Sequence, residues 1–213
     1  MSDPACIMGP MEYDAVKQDL RRAYDAEADK RERMDDRSWK PAERARFAAH
    51  LREGSRLLEI GAGHGVSGRY FADAGHIVTC VDLSPALVGH CLAKGLDAHV
   101  MDFADLAFAD ESFDAVFGMN CLLHVPRTHL AGVLAEVRRV LVPGGRFYWG
   151  QYGGRDSEGV WESDACEPKR FFSFLTADRI RSTAAGHFTV LDMHRVPLDG
   201  SIEEYQGLIL EKP

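Results

Sequence analysis

The sequence predicts an α/β fold built on a mainly parallel sheet of seven strands, with helices on both faces and an antiparallel terminal strand. Two observations lead to this prediction. Between residues 55 and 186, short apolar runs alternate with helical patterns, which is typical of a parallel sheet covered by helices. Residues 187–194 and 204–211 instead form two consecutive strand patterns around a loop with proline and glycine, which predicts a terminal hairpin.

Residues 1–54 are predicted to be a helical cap ahead of the sheet. After an irregular start over residues 1–12, residues 14–34 are dense in charge and free of glycine and proline, which favours a helix. A second helix is predicted from Pro41, a favoured first-turn residue, to just before Gly54. The two helices either cover the mouth of a ligand site or form a solvated pair against the edge of the sheet.

The first predicted strand, residues 56–60, runs into a turn that contains three glycines. These are Gly61, Gly63 and Gly65. Glycine tolerates positive φ and lets a ligand approach the backbone, and the carboxyl end of a parallel strand is the usual ligand site. The dinucleotide pattern G-x-G-x-x-G/A is broken by Val66. The turn therefore predicts a nucleotide-like ligand, and Glu59, which would repel a pyrophosphate, favours a cationic one. A tight turn without a ligand is the alternative.

The next three predicted strands each end in a polar side chain. Residues 76–81 are followed by Asp82, residues 97–101 by Asp102, and residues 113–119 by Asn120. Ser84 is expected to cap the helix that Pro85 begins, and Thr128 to cap the helix before the fifth strand, residues 146–151. The ends of these strands are therefore expected to lie at the ligand site.

The composition argues against several classes of protein. A net charge of −8 argues against a broad nucleic-acid surface. The five cysteines are scattered and contain no C-x-x-C pair, which indicates a reduced, intracellular protein without disulfides or a zinc site. No histidine pair has metal-ligand spacing with a supporting carboxylate, and no apolar run approaches the ~18 residues of a membrane span. We expect a cytoplasmic protein with no metal, nucleic-acid or membrane partner.

Four segments carry a resemblance to a known family. They are Glu59-x-Gly61-x-Gly63-x-Gly65, Val81-Asp82-Leu83-Ser84, Asp110-Glu111-Ser112-Phe113-Asp114 and Leu141-x-Pro143-Gly144-Gly145-Arg146. In this order and strand context, residues from about 55 to 146 resemble the class I S-adenosylmethionine (SAM) methyltransferases, and the terminal hairpin extends the likeness to most of the chain. The resemblance implies a Rossmann-like fold, SAM as cofactor with S-adenosylhomocysteine (SAH) as product, and methylation of an oxygen or nitrogen atom of a small organic acceptor.

The resemblance also assigns residues to the cofactor. They are Glu59, Gly61, Gly63, Gly65, Asp82, Leu83, Asp102, Phe103 and Asn120. The glycines would lie against the methionine part, and Glu59 near the sulfonium or amino group, unless it only stabilises the fold. Asp82 would accept hydrogen bonds from both ribose hydroxyls, or else act as a helix cap. Leu83, Asp102 and Phe103 would contact adenine, with Asp102 alternatively a solvated turn residue.

His124, in the loop after the fourth strand, is the one candidate general base. Its imidazole could take a proton from a phenol, hydroxyl or ammonium acceptor, or it could instead bind the backbone and pack against a helix. Methyl transfer to an amine or carboxylate needs no base, because orientation and desolvation suffice. The same loop lacks the motifs of enzymes that methylate nucleic-acid bases, and the neutral Asn120 argues against a divalent-metal catechol site. Cys121 is expected to be a packing residue.

Residues 152–175 are predicted to be an irregular lid on the acceptor side. Tyr152, Trp161 and Arg170 in this segment, with Tyr24 of the first helix, are expected to bind the acceptor, because aromatic walls and a few polar groups suit a small organic molecule. For each of them the alternative is a packing or surface role. Phe172 and Phe174 are expected in the core.

The predicted organisation is a single domain with four parts. They are the cap at 1–54, the SAM-binding core at 55–151, the lid at 152–175, and the last helix and hairpin at 176–213. We expect a monomer or homodimer, of a kind that often tailors secondary metabolites. Two other functions stay open: a SAM-binding partner protein without catalysis, and a nicotinamide-dependent oxidoreductase, which Val66 and the terminal hairpin disfavour.

Overall fold

The computed structural model describes residues 13–200, 202 and 204–213, so the irregular start predicted for residues 1–12 lies outside the described part. The helices are α1 Tyr13–Glu32, α2 Lys40–Ala48, α3 Val66–Asp73, α4 Pro85–Ala93, α5 Arg127–Val140 and α6 Ala177–Ala185. The strands are β1 Arg56–Ile60, β2 Ile77–Asp82, β3 Asp97–Val100, β4 Phe113–Met119, β5 Leu141–Gly153, β6 Ser157–Val160, β7 Phe171–Phe174, β8 Thr189–Pro197 and β9 Glu204–Glu211. None of these helices is long and apolar enough to cross a bilayer.

Seven strands form the main sheet in the order β3-β2-β1-β4-β5-β9-β8. The first five strands are parallel to their neighbours, and β9 is antiparallel to both β5 and β8. The predicted seven-stranded, Rossmann-like sheet with an antiparallel terminal strand is confirmed. Strand β9 is buried on both faces because Leu208 and Leu210 point into one core and Ile209 into the other, which explains its continuous apolar run.

Successive residues of the central strands face two separate cores. On β1, Leu57 packs with Phe47 of α2 and Phe71 of α3, whereas Leu58 and Ile60 belong to a core shared with α1, α5 and α6. This alternation follows from the two-residue period of a strand, and both cores need a helical layer to exclude water. Helices therefore lie on both faces of the sheet, as predicted.

Two local predictions were wrong. Helix α5 begins at Arg127, one residue before Thr128. Its N-cap residue is Pro126, whose side chain cannot accept a hydrogen bond. Its first N–H instead donates to Glu158 Oε1 at 2.7 Å, so a carboxylate far along the chain takes the place of the expected cap. The lid is also not wholly irregular, because β6 and β7 pair as an antiparallel hairpin. Ser84 does cap α4, accepting a hydrogen bond from the Leu87 N–H at 3.2 Å.

Helix α1 lies at the carboxyl ends of the parallel strands and is fixed to α4. Asp25 Oδ1 accepts hydrogen bonds from the Ser84 hydroxyl at 2.5 Å and from the Ala86 N–H at 3.2 Å. A carboxylate is favoured at this position because helix N-termini present unpaired N–H groups and a positive dipole end. The contact fixes α1 above the glycine turn, where its inner face becomes one wall of a cavity.

Candidate functional site

A cavity of about 630 Å³ lies between the carboxyl ends of β1, β2 and β4, helix α1 and the lid. Most of the residues predicted from the sequence line it: Tyr24, Glu59, Gly61, Gly63, Asp82, Leu83, Phe103, Asn120, His124, Tyr152, Trp161 and Arg170. Gly65 and Asp102 do not. A larger, open depression of about 1030 Å³ beside the start of α6 contains none of the predicted residues. The first cavity is therefore the candidate site.

The three glycines of the turn serve different purposes. All have positive φ, at 62° for Gly61, 56° for Gly63 and 82° for Gly65. A Cβ on Gly61 would lie 2.4 Å from the Cβ of Cys121, whereas a Cβ on Gly63 would have no atom within 4 Å. Gly65 faces Cys91 of α4 and is required for packing, which is why it is not in the cavity wall. Gly63 leaves open space where a ligand can approach the backbone.

Asp82 is buried at the end of β2 and held by the backbone. Its Oδ2 accepts a hydrogen bond from the Gly63 N–H at 2.8 Å, and its Oδ1 accepts one from the Ser84 N–H at 2.9 Å. Burial raises the pKa of this carboxyl, while the two N–H groups oppose the rise. Each oxygen retains acceptor capacity, so the carboxyl group can bind a pair of hydroxyl groups on the cavity side.

Glu59 is buried beneath the glycine turn, at the start of α3. That helix has no side-chain cap, because its N-cap residue is Gly65, and Glu59 accepts a hydrogen bond from the Gly68 N–H. Burial raises the pKa of the Glu59 carboxyl to about 8, and hydrogen bonds from Cys80 and Gly68 only partly oppose this rise. Glu59 thus lines the cavity and also caps the start of α3. At neutral pH its protonated form predominates.

We expect the Glu59→Gln variant to lose part of the pH dependence of stability. The pKa of Glu59 is about 8 in the folded chain against 4.5 as the ordinary value, so the folded state holds the proton more tightly. The stabilisation that this bound proton contributes is fully present below the unfolded pKa and is lost as the pH rises towards the folded pKa. Between about pH 5 and about pH 8, wild type should lose about 3 kcal/mol more unfolding free energy than Glu59→Gln. Urea unfolding measures this, with the exposed Glu53→Gln as control; parallel profiles would contradict the expectation.

Tyr24 and His124 form a hydrogen-bonded pair at the other end of the cavity. His124 Nδ1 lies 2.7 Å from the Phe171 carbonyl oxygen, which can only accept, so Nδ1 carries the proton. His124 Nε2 is then the acceptor for the Tyr24 hydroxyl at 2.7 Å. The Tyr24 oxygen also accepts a hydrogen bond from Arg170 Nη1 at 3.0 Å. Both nitrogens of His124 are therefore engaged.

The protonation states of this pair follow from burial and from two nearby guanidinium groups. Burial, together with the positive charges of Arg170 and Arg31, lowers the pKa of His124 to about 3, and the hydrogen bond to the Phe171 carbonyl opposes only part of this shift. Burial raises the pKa of Tyr24. At neutral pH the imidazole is neutral and the phenol protonated. His124 is therefore a weak base with no free nitrogen, and the alternative role in which it binds the backbone is the one the geometry favours.

Asn120 and the lid complete the acceptor end. Asn120 has a φ of 57°, and its Oδ1 accepts a hydrogen bond from the Tyr152 N–H at 3.2 Å, which fixes the end of β5 beside the cavity. Trp161 packs edge-on against Phe172, with ring centres 5.1 Å apart. Phe172, expected in the core, also lines the cavity, whereas Phe174 stacks behind it as predicted. The result is an aromatic wall suited to a planar molecule.

Asp102 does not reach the cavity, contrary to the sequence expectation. Its Oδ2 lies 2.8 Å from Lys17 Nζ of α1, and its Oδ1 accepts a hydrogen bond from the Ala104 N–H at 2.8 Å. The ion pair and the turn hold the carboxylate outside the cavity wall, and with a side chain only 22% exposed it is a bonded turn residue and not a solvated one. Phe103, the next residue, lines the cavity.

Sequence reasoning missed several basic residues of the cavity wall. They are Lys30, Arg31, Arg37, Lys40 and Arg44, from α1, α2 and the segment between them. The concentration of Lys and Arg over residues 30–46 was the available signal. It was not decisive, because such residues on a helix are usually a solvated face. Among the described residues, no group of three His, Cys, Asp or Glu side chains is arranged to hold a metal ion.

Comparison with known proteins bears directly on this site. A family profile described as a methyltransferase domain matches residues 58–149. A phthiotriol/phenolphthiotriol dimycocerosates methyltransferase of Mycobacterium leprae is 37% identical over 120 residues, covering 52% of this chain and 43% of that protein. A demethylmenaquinone methyltransferase of Tropheryma whipplei is 37% identical over 97 residues, covering 44% of this chain and 40% of that protein. The chain thus spans less than half the length of these curated relatives.

Solved structures extend the likeness to the whole chain. The 1,6-didemethyltoxoflavin-N1-methyltransferase of Burkholderia thailandensis, solved with bound 1,6-didemethyltoxoflavin and SAH, is 26% identical with a TM-score of 0.79, covering 100% of this chain and 93% of that one. A [4+2]-cyclase is 19% identical with a TM-score of 0.71, covering 93% of this chain and 97% of that one. At that identity the likeness shows the fold alone, and a shared fold does not by itself define the reaction.

Proposed function

We propose that this chain is a class I SAM-dependent methyltransferase that transfers the methyl group of SAM to an oxygen or nitrogen atom of a small organic acceptor. The observation that carries the proposal is the single cavity that joins Asp82 at one end to Tyr24 and Arg170 at the other. A cofactor and a second molecule can meet inside it. The similar N1-methyltransferase holds both SAH and 1,6-didemethyltoxoflavin, which supports the proposal that two molecules meet in this cavity.

The cofactor end fits SAM in its shape and its hydrogen-bonding groups. We assign Asp82 to the ribose hydroxyls, because its carboxyl group is anchored by two backbone N–H groups and retains acceptor capacity towards the cavity. Leu83 and Phe103 would contact the adenine, and the open space beside Gly63 admits the rest of the nucleoside. Bound SAM supplies a methyl group on a positively charged sulfur that leaves as a neutral thioether. We also propose that the chain is a single domain in which residues 55–151 bind SAM, residues 1–54 form the cap and residues 152–175 form the lid on the acceptor side.

The acceptor end would work by orientation and by excluding water. Tyr24, Tyr152 and Trp161 supply the walls, and the hydrogen bonds of the Tyr24 hydroxyl to His124 and Arg170 fix the Tyr24 ring that orients the acceptor. We assign His124 a positioning role, because it contacts the acceptor end through Tyr24 and has no free nitrogen. A closed aromatic site also strengthens each electrostatic contact inside it.

The proposal is tested by incubating the protein with SAM and a panel of phenols, carboxylic acids and N–H heterocycles. We expect SAH and a methylated product to form with at least one of these acceptors, and mass spectrometry detects both products. Calorimetry with SAH and with NADH separates the alternatives. SAH binding without turnover on any acceptor would favour a non-catalytic SAM-binding protein, and binding of NADH alone would favour an oxidoreductase.

The Tyr24→Phe variant should reduce the rate of methyl transfer by about tenfold. It removes the hydroxyl that fixes the Tyr24 ring against the acceptor and leaves His124 Nε2 buried without a partner. SAH affinity should stay within about threefold of wild type, because the hydroxyl is at the acceptor end. Tyr70→Phe, on α3 and outside the cavity wall, is the matched control. An unchanged rate in Tyr24→Phe would remove Tyr24 from the acceptor site.

A further inference from the structure

Beside Tyr24, the cavity wall contains a guanidinium group that forms no ion pair with a carboxylate of the described residues. The guanidinium carbon of Arg31 lies 4.6 Å from the ring centre of Tyr24, and its Nη2 has only a weak contact with Cys166 Sγ at 4.0 Å. Its Nε is buried and makes no hydrogen bond. Among the residues that the structure describes, no carboxylate oxygen lies within 4.0 Å of its nitrogens, and the Arg31 charge lowers the pKa of Asp82 only through space.

Arg170, on the other side of Tyr24, shows the contrast. Its Nε and Nη2 donate to the two oxygens of Asp164 at 2.8 and 2.7 Å, and that carboxylate is almost fully buried. Arg170 is therefore neutralised by a bidentate ion pair, whereas Arg31 is not. Arg31 is half-buried and its Nε is buried without a hydrogen-bond partner, so a bound anion would satisfy this group. The positive charge of Arg31 is thus available to a ligand.

We propose that the methyl acceptor binds as an anion, with its negatively charged group on Arg31. The inference rests on the proposed methyltransferase function and narrows its substrate class to ionised phenols, enols, carboxylic acids or acidic ring N–H groups. A guanidinium group matches the planar geometry of such anions. The rings of Tyr152, Trp161 and Phe172 in the same wall suit an aromatic acceptor.

The hydrogen bonds around Tyr24 support the same conclusion. A neutral O–H or N–H acceptor must lose a proton during methylation, but both nitrogens of His124 are engaged and the Tyr24 hydroxyl is itself a donor. An anionic acceptor has already lost that proton. Its lone pair forms a bond to the methyl carbon while the carbon–sulfur bond breaks, and that electron pair stays on sulfur. One negative and one positive charge become two neutral groups, so no base is needed.

The anion on Arg31 could also come from a different source, the methionine carboxylate of the cofactor. A binding experiment separates the two. The protein is saturated with SAH, which carries this carboxylate, and is then titrated with benzoate and with its neutral analogue benzamide, with binding measured by calorimetry. We expect wild type to bind benzoate at least about tenfold more tightly than benzamide, as a charge-assisted hydrogen bond would give.

The variants decide which residue carries the preference. Arg31→Gln should bind the two probes within about twofold of each other, with SAH affinity within about threefold of wild type. Arg31→Lys, which retains the charge and guards against a folding defect, should keep part of the preference. Arg22→Gln, on the same helix with a side chain 70% exposed, is the matched control and should behave like wild type.

Three results would overturn the inference. They are equal or undetectable binding of the two probes to the wild-type SAH complex, a benzoate preference that persists in Arg31→Gln, and a loss of SAH affinity in Arg31→Gln without a change in preference. The last would place the methionine carboxylate on Arg31. Failure of wild type to bind SAH at all is a separate outcome, which would overturn the proposed function and this inference with it.

Discussion

The Asp82→Ala variant is expected to bind SAH at least about 100-fold more weakly than wild type. The substitution removes the carboxyl group proposed for the ribose hydroxyls. It also leaves the N–H groups of Gly63 and Ser84 without their acceptor, so the glycine turn loses its link to the end of β2. Losing the ligand contact and the preorganised turn together makes this the largest binding effect that we expect.

Calorimetric titration with SAH measures the effect, and Asp97→Ala is a matched control. Asp97 lies on the neighbouring strand β3, is exposed, and contacts Thr79 and His99 outside the cavity. Its variant should bind SAH like wild type. If Asp82→Ala binds SAH within about threefold of wild type, the cofactor is not held at the end of β2 and the orientation proposed for it is wrong.

The Gly61→Ala variant is expected to lower the free energy of unfolding by about 3 kcal/mol. Two costs add at this position. A φ of 62° is strained for any residue with a Cβ, and the new Cβ would lie 2.4 Å from the Cβ of Cys121. Because Cys121 is buried and directly follows Asn120, its backbone cannot move without disturbing the end of β4.

Two further variants separate the costs in urea unfolding experiments. Gly144→Ala has a similar φ of 72° with no atom within 4 Å of the new Cβ, so it should lose only about 1 kcal/mol from backbone strain. Adding Cys121→Gly to Gly61→Ala removes the contact. The two substitutions together should cost less than the sum of the single effects. Simple additivity would show that the contact with Cys121 is not what excludes a side chain at Gly61.

The sequence by itself determined the elements whose signals are local. The strands at 56–60 and 113–119 have the predicted bounds, and Ser84 caps α4, because apolar runs, glycine turns and cap residues act over a few neighbouring positions. The hairpin pattern of 187–194 and 204–211 likewise predicted an antiparallel terminal strand, which the sheet confirms. Most predicted site residues line one cavity because the carboxyl ends of parallel strands meet at one edge.

Only the tertiary structure decided which groups compensate one another across the chain. Glu158 replaces Thr128 at the start of α5, and Lys17 holds Asp102 outside the cavity, although each pair is far apart in sequence. The weak basicity of His124 and the unpaired charge of Arg31 follow from burial and from neighbours on other elements. No local pattern encodes such distances, because electrostatic environment depends on the packing of the whole fold. The sequence therefore indicated the cofactor, while the chemistry proposed for the acceptor came from the structure.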